Sequence, residues 1–152
     1  MAERLALTPI KLTEAEKIEL LPSLIPLLEL PAKIRENGIF SIKDDIASLG
    51  EESLIVIYDL LLSGNNPEAA KIIIHNLIYT SGLDNISLAQ VVIYAEVLFF
   101  LKDEACHANL INLLIISHLG FEFKEIYRAG IEKYYSQEYY NSLCTLSGKF
   151  YY

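Results

Sequence analysis

The stretch 51-EESLIVIYDLLLSGNNPE-68 decides how the chain folds. Two acids open it, and acids are favoured in the first turn of a helix. Residues 54–62 are apolar nearly all round, which predicts a helix at the centre of the protein, although the β-branched run 55–57 leaves a strand as the alternative. Gly64 then ends this element, Asn66 caps the next helix and Pro67 takes its first position. The stretch therefore predicts one helix that stops and another that starts at once.

Start and stop signals of the same kind divide the rest of the chain. Thr13 and Glu16 form a capping-box pattern, which predicts a helix to about Leu21. Prolines 22, 26 and 31 punctuate the next apolar run, which is expected to form short helical turns broken at Pro22 and Pro31, with Pro26 in the first turn of a helix begun after Ser23. Further helices are expected over residues 32–37, 39–49, 51–63, 67–80, 85–101, 103–119, 121–134 and 137–146.

Helices of this length with short connections predict an all-α fold, a compact array of about seven to nine helices. Neither a repeat nor a linker composition divides the chain, so we expect one helical domain over residues 1–152. Within it, 1–31 is a proline-punctuated segment, 32–68 holds a basic lead-in, a glycine and a short amphipathic helix, and 69–152 is the helical body with a tyrosine-rich end.

Composition narrows the classes of function. The net charge is -8 and the pI near 4.8, which argues against binding to nucleic acid or to anionic lipid. Residues 110–119 are too short an apolar run for a membrane span, and 86–101 contains Gln90 and Glu96, so both are expected to be core helices. With only two cysteines and no signal-peptide pattern at the start, we expect a cytoplasmic protein. The hydrophobic content of 53% predicts a large core or an apolar face kept for a partner.

Catalytic motifs are not evident in the sequence. Serine-nucleophile, dinucleotide and phosphate-loop strings are absent, so we expect no enzyme activity, no cofactor and no metal. An unfavoured alternative is a metal-dependent enzyme that uses Glu104, His107 and His118. On a straight helix, however, the two histidines would lie about 16 Å apart, too far for one metal ion.

The last quarter of the chain is rich in tyrosine, including Tyr135, Tyr139 and Tyr140. Tyrosine combines a large apolar body with a polar tip and is enriched at interfaces. These residues are therefore candidate partner-binding residues, and a helical scaffold or homo-oligomer built on them is an alternative function. The structural alternative is that they pack the last helices onto the body.

The string 32-AKIRENGIFSIKDDI-46 resembles the start of the large cytoplasmic loop of the MotA family of flagellar stator proteins. In that family a basic segment, a glycine, a Phe-Ser-Leu-like triplet and an acid-flanked short helix follow one another. Further on, residues 60–65 are similar to the Ser-Gly or Asp-Gly turn of the family, and 67–68 fit its Pro-Glu continuation. The resemblance covers about residues 32–68.

The resemblance implies a cytoplasmic domain that contacts the flagellar motor. In the family an arginine and a glutamate of this loop meet opposite charges on the rotor's switch protein; Arg35 falls on the arginine position and Lys43, of opposite charge, on the glutamate position. Asp44 and Asp45 follow directly. The family's four membrane helices have no counterpart in the sequence, so we expect no ion conduction. The leading hypothesis is a non-enzymatic interaction module with these four charged residues as its contact face.

Overall fold

Helices form nearly all of the chain that the computed structural model describes, residues 7–63, 66–102 and 107–135. No strand occurs in these ranges, so the all-α array of about seven to nine helices is confirmed. Residues 54–62 are helical, which excludes the strand alternative. The α-helices are α1 (Glu14–Leu24), α2 (Leu30–Asn37), α3 (Lys43–Ala47), α4 (Glu52–Ser63), α5 (Pro67–Tyr79), α6 (Asn85–Leu101), α7 (Ala108–Leu119) and α8 (Lys124–Tyr134). Shorter 3₁₀ segments cover Ile25–Glu29, Ile39–Ile42 and Phe121–Phe123.

The centre of the fold is α6 rather than α4. Almost every residue of α6 from Ala89 to Leu101 is buried, on all sides of the helix, as expected of a helix enclosed by others. It packs against α1, α4, α5 and α7. Helix α4 buries Leu54, Ile57 and Tyr58 but leaves Val56 41% exposed, so only one of its faces belongs to the core. An apolar composition alone could not distinguish these two positions.

The predicted helix starts are confirmed where the caps are local. The Thr13 hydroxyl accepts a hydrogen bond from the Glu16 N–H at 3.2 Å, and the Glu16 carboxylate accepts one from the Thr13 N–H at 2.9 Å. The Asn66 side chain accepts from the Ala69 N–H at 3.1 Å at the start of α5. Each of these caps satisfies an amide that the helix leaves unpaired.

The proline-punctuated segment differs from the prediction. Pro22 lies inside α1 instead of ending it. Leu20 and Leu24, on either side of it, are both buried, and this packing holds the helical course across the missing N–H. Pro26 lies in the first turn of its 3₁₀ segment, as predicted, and Pro31 in the first turn of α2, so the chain changes helix type without leaving helical geometry.

The helix predicted over 103–119 starts later than predicted, because His107 is extended and α7 begins at Ala108. The helix predicted over 137–146 lies entirely outside the described ranges. Among the described helices, none combines the length and the apolar character that crossing a membrane requires.

Candidate functional site

Helix α2, the 3₁₀ segment Ile39–Ile42 and α3 form a hairpin, residues 30–47, in which both helices pack against the 3₁₀ segment. The turn depends on Gly38, whose φ of 84° is a conformation that residues with a side chain rarely adopt. The Gly38 N–H donates to the Ile34 carbonyl at 2.7 Å and ends α2. The Gly38 carbonyl accepts from the Ser41 hydroxyl at 2.6 Å, which starts the 3₁₀ segment. Ile42 and Ile46 are fully buried and fix the hairpin to the body.

A tyrosine of α4 ties the hairpin turn to the core. The Tyr58 hydroxyl donates to the Ile39 carbonyl at 2.8 Å, and the Tyr58 side chain is buried. Burial, with a smaller contribution from the charge of Asp59, raises the pKa of Tyr58. The hydroxyl therefore remains a neutral donor at physiological pH, and the turn is held on α4.

The tip of the hairpin presents an exposed aromatic ring among charges. Phe40 is 74% exposed, the largest value among the described hydrophobic residues that are exposed. Arg35, Lys43 and Asp44 are also exposed, and no ion pair joins any of them to another residue in the described ranges. We call these four residues the hairpin tip. Sequence reasoning named the three charges but missed Phe40, although an aromatic residue directly after a glycine turn is a usable signal.

Asp45, the fourth predicted contact charge, has a different role. Its carboxylate accepts both hydrogen bonds of a bidentate contact with the Lys33 ammonium, at 2.8 and 3.0 Å. The hydrogen bond to Asp45 raises the pKa of Lys33, more than desolvation lowers it. Asp45 therefore bridges α3 to α2 and does not belong to the unpaired charges of the tip.

The predicted tyrosine site is only partly within the described residues. Tyr135 follows α8, is half-buried and packs against the hydrophobic core. This contact fits the structural alternative for Tyr135. Tyr139 and Tyr140 lie outside the described residues.

One of the two histidines considered from the sequence has a partner on another helix. His118 of α7 pairs with Glu96 of α6, and their side chains are only 6% and 14% exposed. His107 precedes α7, and Glu104 lies outside the described residues. Within the described ranges, no group of three or more His, Cys, Asp or Glu side chains could hold a metal ion. The Glu96–His118 pair was missed because its two members are 22 residues apart on different helices.

The hairpin tip thus contains three of the seven predicted partner-binding residues, Arg35, Lys43 and Asp44, all of them exposed. Phe40 can make an apolar contact, and the charges around it can pair with groups of either sign on another molecule. Charges at the edge of a contact steer encounter and fix register more than they add affinity. Comparisons of the chain with protein-family models, with curated proteins and with solved structures each find no match.

Proposed function

We propose that the chain is a non-enzymatic, cytoplasmic protein-interaction module that docks a partner protein through the hairpin tip. The observation that carries the proposal is the exposure of Phe40 at the centre of the stretch that resembles the stator loop. The turn that exposes the Phe40 ring to solvent is itself held on the core. The ring is therefore preorganised for binding, because little conformational entropy remains to be lost when a partner binds.

The composition of the tip indicates what the partner offers. Burying one phenylalanine side chain contributes roughly 1.5–3 kcal/mol, enough to make Phe40 a dominant contact if it enters a pocket. Arg35 and Lys43 give the tip two positive charges against the negative charge of Asp44, and Glu36 beside Arg35 is a further exposed acid, so the stretch 32–46 is balanced in charge. The partner surface is therefore expected to combine an apolar pocket with acidic groups placed opposite Arg35 and Lys43.

The stator resemblance supports a flagellar motor component, the rotor's switch protein, as the first partner to test. In the family the contact pairs one positive and one negative residue of the loop with the rotor. Here Lys43 replaces the negative one, so the facing residue on the rotor protein is expected to be acidic. Asp44, next to it, supplies the remaining negative charge of the tip.

The test is direct binding between the purified chain and the purified switch protein of the same organism, measured by biolayer interferometry. Phe40→Ala is expected to weaken binding at least tenfold. The double variant Arg35→Glu with Lys43→Glu is expected to slow association and to reverse its salt dependence. Phe121→Ala is the matched control, because Phe121 is also exposed, at 58%, but lies in the 3₁₀ segment before α8.

Two results would contradict the proposal at different levels. If the unaltered chain does not bind the switch protein, the motor assignment is wrong. If Phe40→Ala and Phe121→Ala weaken binding equally, the hairpin tip is not the docking surface.

A further inference from the structure

A pocket of about 200 Å³ opens at the base of the hairpin, on the side of α1. Its apolar wall includes Pro22 and Pro26 from the α1 side, Leu30 from α2 and Leu49 from the end of the hairpin, and Tyr94 of α6 lines it as well. No residue of the hairpin tip lines this pocket. It is therefore separate from the proposed docking surface.

Two prolines, whose nitrogens carry no N–H, line the pocket where α1 passes into the first 3₁₀ segment. Ser23 lies near the end of α1, and the N–H that a 3₁₀ turn would offer to its carbonyl is missing because residue 26 is proline. The Tyr94 hydroxyl donates to this carbonyl instead. Tyr94 is buried, and its ring and hydroxyl are thus fixed against the end of α1.

The charged residues that line the pocket are Glu29, Lys33 and Asp45, as far as the described residues go. Two of these three residues are acids, and the charge of Asp44 also acts on Lys33 together with those of Glu29 and Asp45. Lys33 already sits on Asp45 with both members of the pair partly open to solvent, at 44% and 39% exposure. Exposed ion pairs of this kind contribute little to stability, so another cation can displace Lys33.

We propose that this pocket binds a small organic cation, a primary amine or guanidine on an apolar body, with its charged head on Asp45 in place of Lys33. The size follows from the volume: an apolar cavity of roughly 150 Å³ holds benzene, so this one accommodates a phenyl ring with a short aminoalkyl chain. An anionic head would meet Glu29 and Asp45, and a neutral head would leave the displaced carboxylate without compensation.

Three probes of one shape test the charge preference: 2-phenylethylamine, 2-phenylethanol and 3-phenylpropionate. Each is titrated into the ¹⁵N-labelled full chain, and binding is followed by the backbone amide shifts. The amine is expected to shift the amides of residues that line the pocket, Leu30, Ile46 and Leu49 among them. It is expected to bind at least tenfold more tightly than the alcohol, and the propionate more weakly still.

Variants distinguish this site from a nonspecific cation effect. Asp45→Asn is expected to weaken the amine at least tenfold and to leave the alcohol unchanged within threefold. Lys33→Met is expected to strengthen amine binding severalfold, because it removes the resident competitor. Asp44→Asn is the matched control: this neighbouring acid does not line the pocket, and its loss is expected to weaken the amine by less than threefold. Circular dichroism melting confirms that each variant is folded.

The outcomes that overturn the proposal are specific. Equal binding of amine and alcohol, or weaker amine binding by Lys33→Met, would show that the pocket does not select cations. Shifts by the amine that Asp45→Asn leaves intact would place the binding elsewhere. Because no variant here alters Phe40, Arg35 or Lys43, on which the docking test depends, failure here leaves the docking proposal standing, and failure of the docking test leaves this site standing.

Discussion

Replacing Tyr94 by phenylalanine tests how the proline segment is held on α6. The Tyr94 hydroxyl donates to the Ser23 carbonyl, to which Pro26 offers no 3₁₀-type N–H. Tyr94 is buried, and the hydrogen bond is partly buried. Removing the hydroxyl leaves this carbonyl unsatisfied, at a cost of about 1–3 kcal/mol. For a chain of this size each kcal/mol lowers the melting temperature by roughly 2–4 °C.

A double-mutant cycle isolates the proposed cause. Pro26→Ala restores an N–H that can pair with the Ser23 carbonyl, so Tyr94→Phe is expected to cost less in that background, by about 0.5 kcal/mol or more. Urea unfolding followed by circular dichroism gives all four free energies of unfolding. Tyr79→Phe is the control, because the Tyr79 hydroxyl also contacts a backbone group but is exposed, and its loss is expected to change stability by less than about 0.5 kcal/mol.

The same variant predicts a pH dependence. Burial, and to a lesser extent the charge of Asp45, raises the pKa of Tyr94 above its ordinary value. The folded state therefore holds its proton when the unfolded state has lost it, so stability is complete below about pH 10 and falls as the pH rises further. The fall amounts to about 1.4 kcal/mol per pH unit for each such proton. Tyr94→Phe is expected to reduce the slope of the free energy of unfolding against pH by up to the contribution of one proton. An unchanged slope, or a cost of Tyr94→Phe that Pro26→Ala does not reduce, would refute the reasoning.

Three further substitutions test separate contacts. The Asp84 carboxylate caps α6 by accepting a hydrogen bond from the Ser87 N–H at 2.8 Å, and this bond lowers the pKa of the carboxyl. The cap therefore stabilises the folded state at a pH above the pKa of Asp84 in the unfolded chain. This stabilisation is lost as the pH falls through the pKa of Asp84 in the folded chain. Asp84→Asn keeps a cap and is expected to lessen the decline of the urea midpoint between pH 5 and 2; an identical decline would contradict this. Glu96→Ala is expected to lower the free energy of unfolding by roughly 1.5–3 kcal/mol, because it removes the partner of the buried His118 side chain. The control is Glu132→Ala, which removes an exposed acid. If urea unfolding shows an equal loss of stability in the two variants, the prediction is wrong. Gly38→Ala is expected to cost about 1–3 kcal/mol from backbone strain alone, since nothing within 4 Å would obstruct the added Cβ, and an unchanged melting temperature would show that the turn tolerates a side chain.

Features that depend on neighbouring residues could be predicted from the sequence. The caps at Thr13 and Asn66 and the stop at Gly38 each involve groups within four residues, so their chemistry is visible in a short string. The course of the chain through Pro22 could not be predicted. It depends on the burial of the leucines around it, and burial is set by helices far along the chain.

The candidate site also combines features that could be predicted from the sequence with features that could not. The charge of Arg35 and Lys43 and their exposure follow from the polar side of a short amphipathic segment. The pairing of Lys33 with Asp45 does not, because it needs the angle at which α2 and α3 meet. The separation of Asp45 from the contact charges therefore could be recovered only from the structure.

The polar residues of α6 show that a buried polar side chain in an apolar helix indicates a partner on another helix. In the sequence Glu96 served only to argue against a membrane span. A carboxylate in an otherwise apolar helix also requires a partner, because burying an unpaired charge is costly. The buried hydroxyl of Tyr94 also requires a hydrogen-bond partner. In the structure Tyr94 donates to the end of α1, and Glu96 pairs with His118 of α7. These polar groups therefore orient α1 and α7 on the central helix with more specificity than apolar packing alone provides. The pocket lies beside the end of α1, so the position of the pocket and of the hairpin next to it depends on the contact that Tyr94 makes.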